Sequence, residues 1–345
     1  MTQSVAQILK APQILKAPNG QEFKPDLLGQ WYEVGRERGK SDVIHFMRVD
    51  QNNNVVDEFE SRHAFHDGMG AFTTLLRSVG YEISAPWQRR KLSPNFLQWP
   101  NALKQFVGDN TPHPSPWWNK FDGSLAYRPD IRTHHLFTAE QTAQILTQAK
   151  KNNVTFNAWA LGALHKSVAT QFFAPGKTMG RWLIPVNFRN ESVHSESLGN
   201  HASYFGLPVD SKHSVSDIAL NFNRGVESRG AWLTEKTAAI LSLMGPSAIR
   251  KMTSGTKSNY WMGTFSNMGS WPAISQSQVL PEIHSNTAAW IAVPPAGSPT
   301  YPVGVVAMTW AGRLSLGIRL HPALGATQAD LNKLLESFVS SLFHG

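Results

Sequence analysis

The sequence predicts an α+β protein built from two lobes. Predicted strands and helices are mixed without the strict alternation of a doubly wound parallel sheet, which favours layers of sheet and helix over a dinucleotide-binding fold. At 345 residues the chain exceeds the size at which a single hydrophobic core stops growing. Its composition, 41% hydrophobic and 16% charged, is that of a globular chain.

The elements follow in order. Residues 1–23 carry a tandem repeat, Gln7–Pro12 then Gln13–Pro18, whose prolines exclude a long helix, so an extended arm is expected. Its apolar pairs are too short for a signal-peptide core, and no later stretch reaches transmembrane length. A cytoplasmic protein is expected. Residues 42–49 and 55–61 read as strands around the turn Gln51–Asn54, and a helix over 69–79 places Phe72, Leu75, Leu76 and Val79 on one face. Between Pro86 and Pro129 the chain is rich in Pro, Trp and Asn, including Thr111–Trp118. Such a stretch reads as a lobe crossover or a substrate-facing loop, and it sets the lobe boundary: 1–130 and 131–345.

In the second lobe Thr138 and Gln141 form a capping box for a helix to Lys150. An almost wholly apolar helix over 157–173 makes His165 a core or lobe-interface residue. Gly176-Lys177-Thr178 lacks the upstream glycine of a phosphate loop, position 171 being Gln171. A strand over 181–189, the tripeptide Leu198-Gly199-Asn200 and a strand over 202–209 come next. Helical patterns cover 215–233 and 235–252, and a strand from Trp261 ends at Ser266 and Asn267. Strands over 289–293, 303–309 and 313–320 precede a closing helix capped by Thr327, with Leu331, Leu334, Leu335, Phe338 and Leu342 inward.

Composition also narrows the function. With no cysteine, disulfides and thiolate metal sites are excluded. The net charge of +8 suits an anionic partner such as a nucleotide-bearing substrate, an acidic carrier protein or a membrane surface. Basic residues are scattered, with Arg89-Arg90-Lys91 the one run, which argues against a nucleic-acid stripe. Twelve tryptophans fit either broad apolar cavities or a lobe interface.

The chemistry concentrates in Asp57–Phe72. There a strand ends at His63, and Asp67 and Gly68 follow four and five residues on, where a helix starts. With an ordinary pKa of about 6.5, a histidine held at a strand end serves as a general base near neutrality. It serves equally as a structural residue on spacing alone. A glycine tolerates positive φ and lets its N–H approach a reacting group, while Asp67 braces the turn. His66 invites a metal reading, but no further ligands stand at usable spacing, so no metal is expected.

Arg62-His63-Ala64-Phe65-His66-Asp67-Gly68 resembles the His-His-x-x-x-Asp-Gly motif of the chloramphenicol acetyltransferase-like superfamily. That group includes nonribosomal condensation domains, plant BAHD acyltransferases, and alcohol and wax-ester acyltransferases. Asn153–Asn157, Ile184–Arg189, Leu198–Asn200, Phe265–Gly269 and the last strand pair around Gly312 fall in that group's order, over residues 45–345. Only the histidine motif is specific by itself. The resemblance implies two lobes, each a mixed sheet covered by helices, with a tunnel between them and His63 inside it. It implies an acyltransferase in which His63 deprotonates a small-molecule hydroxyl or amine that attacks an acyl-CoA or acyl-phosphopantetheine thioester. Gly68 N–H with Ser266 or Asn267 would hold the oxyanion, and Asp67 would pair with Arg189. A monomer suffices, with an acidic acyl carrier protein as a candidate partner. The chain departs from the pattern in having Arg62 at the first histidine and an early motif, hence a shortened first lobe. A catalytically silent binding or scaffold module of the same fold is the alternative.

Overall fold

In the computed structural model the strands sort into two mixed sheets covered by helices. The structure describes residues 12–16, 23–38, 40–81, 83, 92–111, 118–122, 130–189, 198–254, 261–271, 288–295 and 297–344. The first repeat unit up to position 11, the Arg89–Lys91 run and positions 112–117 of the proline-rich stretch lie outside them.

The first sheet joins β1 (Gln13–Ile14), β2 (Val43–Val49), β3 (Val55–Arg62) and β8 (Ala289–Val293) in the order β1-β3-β2-β8. β1 is a piece of the expected extended arm, paired in parallel with Phe59 and Glu60. β2 and β3 form a hairpin whose turn includes Asn53 in the left-handed region, a conformation asparagine tolerates. The second sheet has the order β4-β10-β9-β7-β5-β6. Its strands are β4 (Ile131–Leu136), β5 (Met179–Asn187), β6 (Ala202–Asp210), β7 (Gly263–Trp271), β9 (Val303–Trp310) and β10 (Arg313–Leu320). β7 runs parallel to both neighbours, and the other pairs are antiparallel.

The helices are α1 (Gly29–Arg36), α2 (Gly68–Ser78), α3 (Trp99–Asn110), α4 (Ala139–Lys151), α5 (Phe156–Phe172), α6 (Val215–Ser228), α7 (Gly230–Leu243), α8 (Pro246–Ser254) and α9 (Gln328–His344). Both bonds of the Thr138–Gln141 capping box form, which fixes where α4 starts. Three expectations change. The helical patterns over 215–252 break at Arg229 and Gly245, both with positive φ, giving α6, α7 and α8. The proline-rich stretch contains α3, which starts behind the capped turn Phe96–Gln98. And β7 continues past Asn267 to Trp271 through a register shift between Asn267 and Ser270.

Alternation along β9 divides the interior. Val303, Val305 and Ala307 face a core shared with α5 and α9, while Val306, Met308 and Trp310 face a core shared with α2 and the first sheet. The second sheet is therefore a wall common to both. Phe72 of α2, fully buried, packs on the rings of Phe46, Trp271, Trp290 and Trp310 at centroid distances of 5.3, 4.7, 5.9 and 6.0 Å. Those tryptophans build a core between layers, which selects the interface reading over the cavity reading for them. Removing the Phe72 ring would cost about 3–5 kcal/mol.

Residue 130 does not separate the sheets. β8, from far along the chain, completes the first sheet, and α3, from before residue 130, lies against α7 and β6. Asp109 near the end of α3 pairs with Arg181 of β5 and accepts from Gly206 N–H of β6. Among the described residues no helix is long and apolar enough to cross a membrane.

Candidate active site

The site is built where α2 begins. Asp67 has extended backbone and is the N-cap: its Oδ1 accepts from Gly70 N–H at 3.0 Å, satisfying one of the donors a helix leaves orphaned at its start. Gly68 is the first helical residue. Its φ is not positive, contrary to expectation, and a Cβ there would meet Met268 Sδ at an ordinary 3.7 Å. The glycine that sterics require is Gly70. A Cβ on it would lie 2.0 Å from Leu198 O and 2.7 Å from Arg189 Nη2. The start of α2 is thus pressed onto the segment that precedes β6.

Four residues of that segment, Leu198–His201, carry the contact. Arg189 Nη1 donates to Asp67 Oδ2 at 2.5 Å, with the arginine side chain fully buried. Its Nη2 donates to Gly199 O. His201 N–H donates to the same Asp67 oxygen at 2.9 Å. Asn200 N–H donates to Asp26 Oδ2 at 2.5 Å, while Asp26 Oδ1 accepts from Gly29 N–H and so starts α1. Burial pushes the Asp67 carboxyl up, but the Arg189 charge and the surrounding N–H donors outweigh it and hold the group below its usual range. At Asp26 burial prevails over the Asn200 and Gly29 N–H donors and raises the carboxyl.

His63 stands one residue beyond β3, its N–H donating to Asp42 O at 2.7 Å. Asn200 Nδ2 donates to His63 O at 2.7 Å and lies 3.2 Å from His63 Nδ1. The Tyr32 ring stacks on the imidazole, centroids 4.1 Å apart and planes 13° from parallel, which brings its hydroxyl 3.4 Å from Nε2. Tyr32 is carried by α1, which the second lobe grips. Trp31 Nε1 donates to Ala238 O and Ser242 Oγ of α7, and Glu37 pairs with Arg250 of α8. Burial lowers the His63 pKa, against the opposing pull of Asp67 and Asp42, so the ring is neutral at physiological pH. The residue keeps part of its surface accessible.

The other predicted residues divide. Arg62 turns to Glu33 at 2.5 Å and Asp42 at 3.3 Å and covers the Phe65 ring. Ser266 pairs with Val306 in register, so it faces the first lobe, as Met268 does against Gly68. Asn267 pairs with Ala307 on the opposite face, where its amide donates to Asn157 Oδ1 at 2.6 Å. The structure does not bring Asn267 to His63. His66 is buried edge-on against Phe23, and burial lowers its pKa to about 4. His165 is a core residue, with Nε2 bonded to Thr178 O and Nδ1 accepting from Trp182 Nε1. Among the described residues no group of three or more His, Asp or Glu could hold a metal. An open hollow of about 610 Å³ beside Gln144 and Phe343 lies on α4 and α9, on other elements than those that carry His63.

Sequence reasoning missed Tyr32, Asp26, Asn200 and the role of Gly70. Asn200 had a signal, since Leu198-Gly199-Asn200 stood out as a motif; the others had none.

No protein-family model matches the sequence, and no curated protein matches it significantly. Solved structures do resemble it. The TRI3 trichothecene 15-O-acetyltransferase from Fusarium sporotrichioides is 13% identical, with a TM-score of 0.55 over 96% of this chain and 76% of that one. The nonribosomal peptide synthetase FmoA3 is 13% identical, with a TM-score of 0.54 over 97% of this chain and 44% of that one. The epimerization domain from the third module of tyrocidine synthetase B is 14% identical, with a TM-score of 0.50 over 82% of this chain and 67% of that one. Two mixed sheets, helices over both, and these likenesses together show that the chain shares the two-lobed fold of these solved structures.

Proposed function

We propose that the protein transfers an acyl group from a thioester, acyl-CoA or acyl-phosphopantetheine, to a hydroxyl or amine of a small molecule, with His63 as general base. The observation that carries this is a neutral, partly accessible imidazole held at the lobe junction, with the Tyr32 ring stacked on it and the Asn200 amide at its Nδ1 edge. The bare ring nitrogen takes the proton from the acceptor, whose oxygen or nitrogen attacks the thioester carbonyl. The tetrahedral intermediate collapses, the C–S bond breaks, and the imidazolium returns the proton to the leaving thiolate. The Gly68 N–H, in the first turn of α2, and the Ser266 hydroxyl are the donors assigned to the oxyanion. Asp67 and Arg189 position that turn and take no part in proton transfer. One chain carries every group, so the enzyme acts as a monomer; it works in the cytoplasm, with free coenzyme A or an acidic carrier protein bearing the donor. The positive net charge supports a phosphate-bearing donor of either kind.

The test is thiol release from a panel of acyl-CoA donors in the presence of candidate acceptors. Because the chain has no cysteine, a thiol reagent reads only the product. His63→Ala is expected to lose roughly 10²–10⁴ in turnover with donor affinity retained, and His66→Ala far less. A folded His63→Ala protein with near-normal turnover would sink the mechanism and leave the binding-module reading.

A further inference from the structure

Most of the large hydrophobic side chains that stand exposed among the described residues are gathered on α3, α7, α8 and the capped turn ahead of α3. Phe96 and Leu97 in that turn are 89% and 82% exposed, and Leu243 and Met244 at the end of α7 are 76% and 68% exposed. Singly exposed apolar residues are ordinary, but these fall on stripes. Trp99, Leu103 and Val107 follow at intervals of four along α3, and Lys236, Ile240 and Leu243 recur at intervals of four and three along α7. The stripes meet where the Trp99 ring stands edge-on to Trp232 at a centroid distance of 5.8 Å, with the Lys236 ammonium 5.6 Å from the same Trp232 ring. The opposite side of α7 is already used, since Ala238 and Ser242 accept from Trp31 of α1. At about 100° per residue, Ile240 lies roughly half a turn from Ala238. The apolar stripe therefore points away from the protein, and among the described residues nothing covers it.

Exposed charge on these helices has one sign. Lys104, Arg250 and Lys251 are exposed, and the Lys236 side chain is 41% exposed. The acids of the same helices are buried, Asp109 against Arg181 and Glu235 beside Lys236. Arg250 is shared with Glu37 of α1. By contrast, α6 exposes Asp217 and Glu227, and α9 exposes Glu336. Two copies of the basic face would bring like charges together, which counts against self-docking. Side chains as exposed as Phe96 and Leu243 project from the surface instead of lining a groove, which suits deformable lipid better than a rigid partner. Apolar tips, tryptophans between them and cations along the stripe together make a face that rests in a membrane interface, with the cations against lipid phosphates.

We infer that the face formed by the Phe96–Gln98 turn, α3, α7 and α8 docks the protein onto an anionic lipid surface, on which it lies without crossing. The inference goes beyond the acyl-transfer reading and does not depend on it. Docking sets α1, held on the inner side of α7 and α8 with Tyr32 over His63, directly behind the lipid-facing layer.

The experiment is co-sedimentation of the full chain with phosphatidylcholine vesicles, with or without phosphatidylserine. Binding is expected on the phosphatidylserine vesicles, and it should fall about tenfold or more as salt rises from about 0.1 to about 1 M, where the screening length shrinks from about 10 to 3 Å. Phe96→Ser combined with Leu243→Ser removes two apolar anchors and should weaken binding at least about tenfold. Lys104→Gln combined with Lys251→Gln should weaken it by about fivefold per charge. All four side chains are exposed, and melting curves establish that each variant is folded. Because the chain has no cysteine, Leu97→Cys takes a single polarity-sensitive fluorophore, whose emission should shift to the blue on vesicle binding. The same label at Glu336→Cys on α9 should not shift. Failure to sediment with phosphatidylserine vesicles at low salt would overturn the inference and leave the face to a protein partner. So would sedimentation that the apolar variant does not weaken, or a silent label at position 97. A mass that rises with concentration in the absence of lipid, and is restored by Phe96→Ser, would overturn it in favour of a second copy of the chain.

Discussion

The Asp67–Arg189 pair allows a quantitative prediction. Both side chains are sequestered, at 4% and 0% exposure, and the pair spans 122 residues of sequence. Asp67→Asn keeps an oxygen able to cap Gly70 N–H but strands the Arg189 charge. Arg189→Met keeps the volume of the side chain but strands the carboxylate and leaves Gly199 O without this donor. Breaking one side of a buried pair costs roughly 3–5 kcal/mol, because the remaining charge is desolvated and unpaired. At about 2.1 cal/mol/K per residue, 345 residues give an unfolding entropy near 0.7 kcal/mol/K, so each single change should lower the melting temperature by about 4–7 °C. The double change leaves no stranded charge and should cost less than the sum, with a coupling of about 2 kcal/mol or more. The pH dependence has a definite sign. The Asp67 carboxyl is depressed in the folded state, so the pair's contribution is complete above the unfolded value of 3.8 and is lost as pH falls through the lower folded value. Thermal melts of the four proteins at pH 7 supply the cycle. Additive losses would refute the argument, because they would show that neither charge depends on the other.

Three further outcomes follow from the same geometry. Gly70→Ala should destabilise the protein by several kcal/mol, since its Cβ would fall 2.0 Å from Leu198 O, while Gly68→Ala should leave the melting temperature within about 1 °C; equal effects would contradict the placement of α2. His66 binds its proton with a pKa near 4 when folded and 6.5 when unfolded, so the unfolded chain takes up protons first as pH falls. Between pH 7 and 5 its contribution should fall by about 2 kcal/mol, and urea unfolding of His66→Phe should show a shallower loss over that window, where equal slopes would rule the residue out. Tyr32→Ala uncovers one face of the imidazole, so acylation of His63 by diethyl pyrocarbonate should speed up severalfold, whereas an unaltered rate would show that the stacking does not persist in solution.

The sequence shows what is local and hides what is brought from afar. The capping box at Thr138, the strand into His63 and the amphipathic face of α2 are written within one turn or one strand, so periodicity exposes them. The Asp67–Arg189 pairing came only through a resemblance, because no spacing rule links residues so far apart. The positive φ expected at Gly68 is not found, and glycine is demanded instead at position 70, by a carbonyl arriving from residue 198 and not by the local turn. Asn267 was misassigned because adjacent strand residues face opposite ways, and which way they face depends on the register with β9. Tyr32 and Asp26 sit on a short helix and its lead-in, where nothing in composition marks one polar residue above its neighbours.

In the proposed mechanism the base is competent only when the lobes are joined. Leu198 O closes on Gly70, Gly199 O receives Arg189, Asn200 reaches both Asp26 and the His63 carbonyl, and His201 N–H meets Asp67. Four consecutive backbone positions of the second lobe thus define the setting of a histidine from the first. The segment donates two backbone N–H groups, of Asn200 and His201, to the carboxylates of Asp26 and Asp67, and it accepts from Arg189 at Gly199 O. Opening the lobes by a single hydrogen-bond length would therefore release the imidazole from its amide and the helix start from its carbonyl together. The helix that carries Tyr32 is held to α7 and α8 by contacts half-exposed to solvent, Glu37–Arg250 among them. It is the wall of the site that can yield most cheaply.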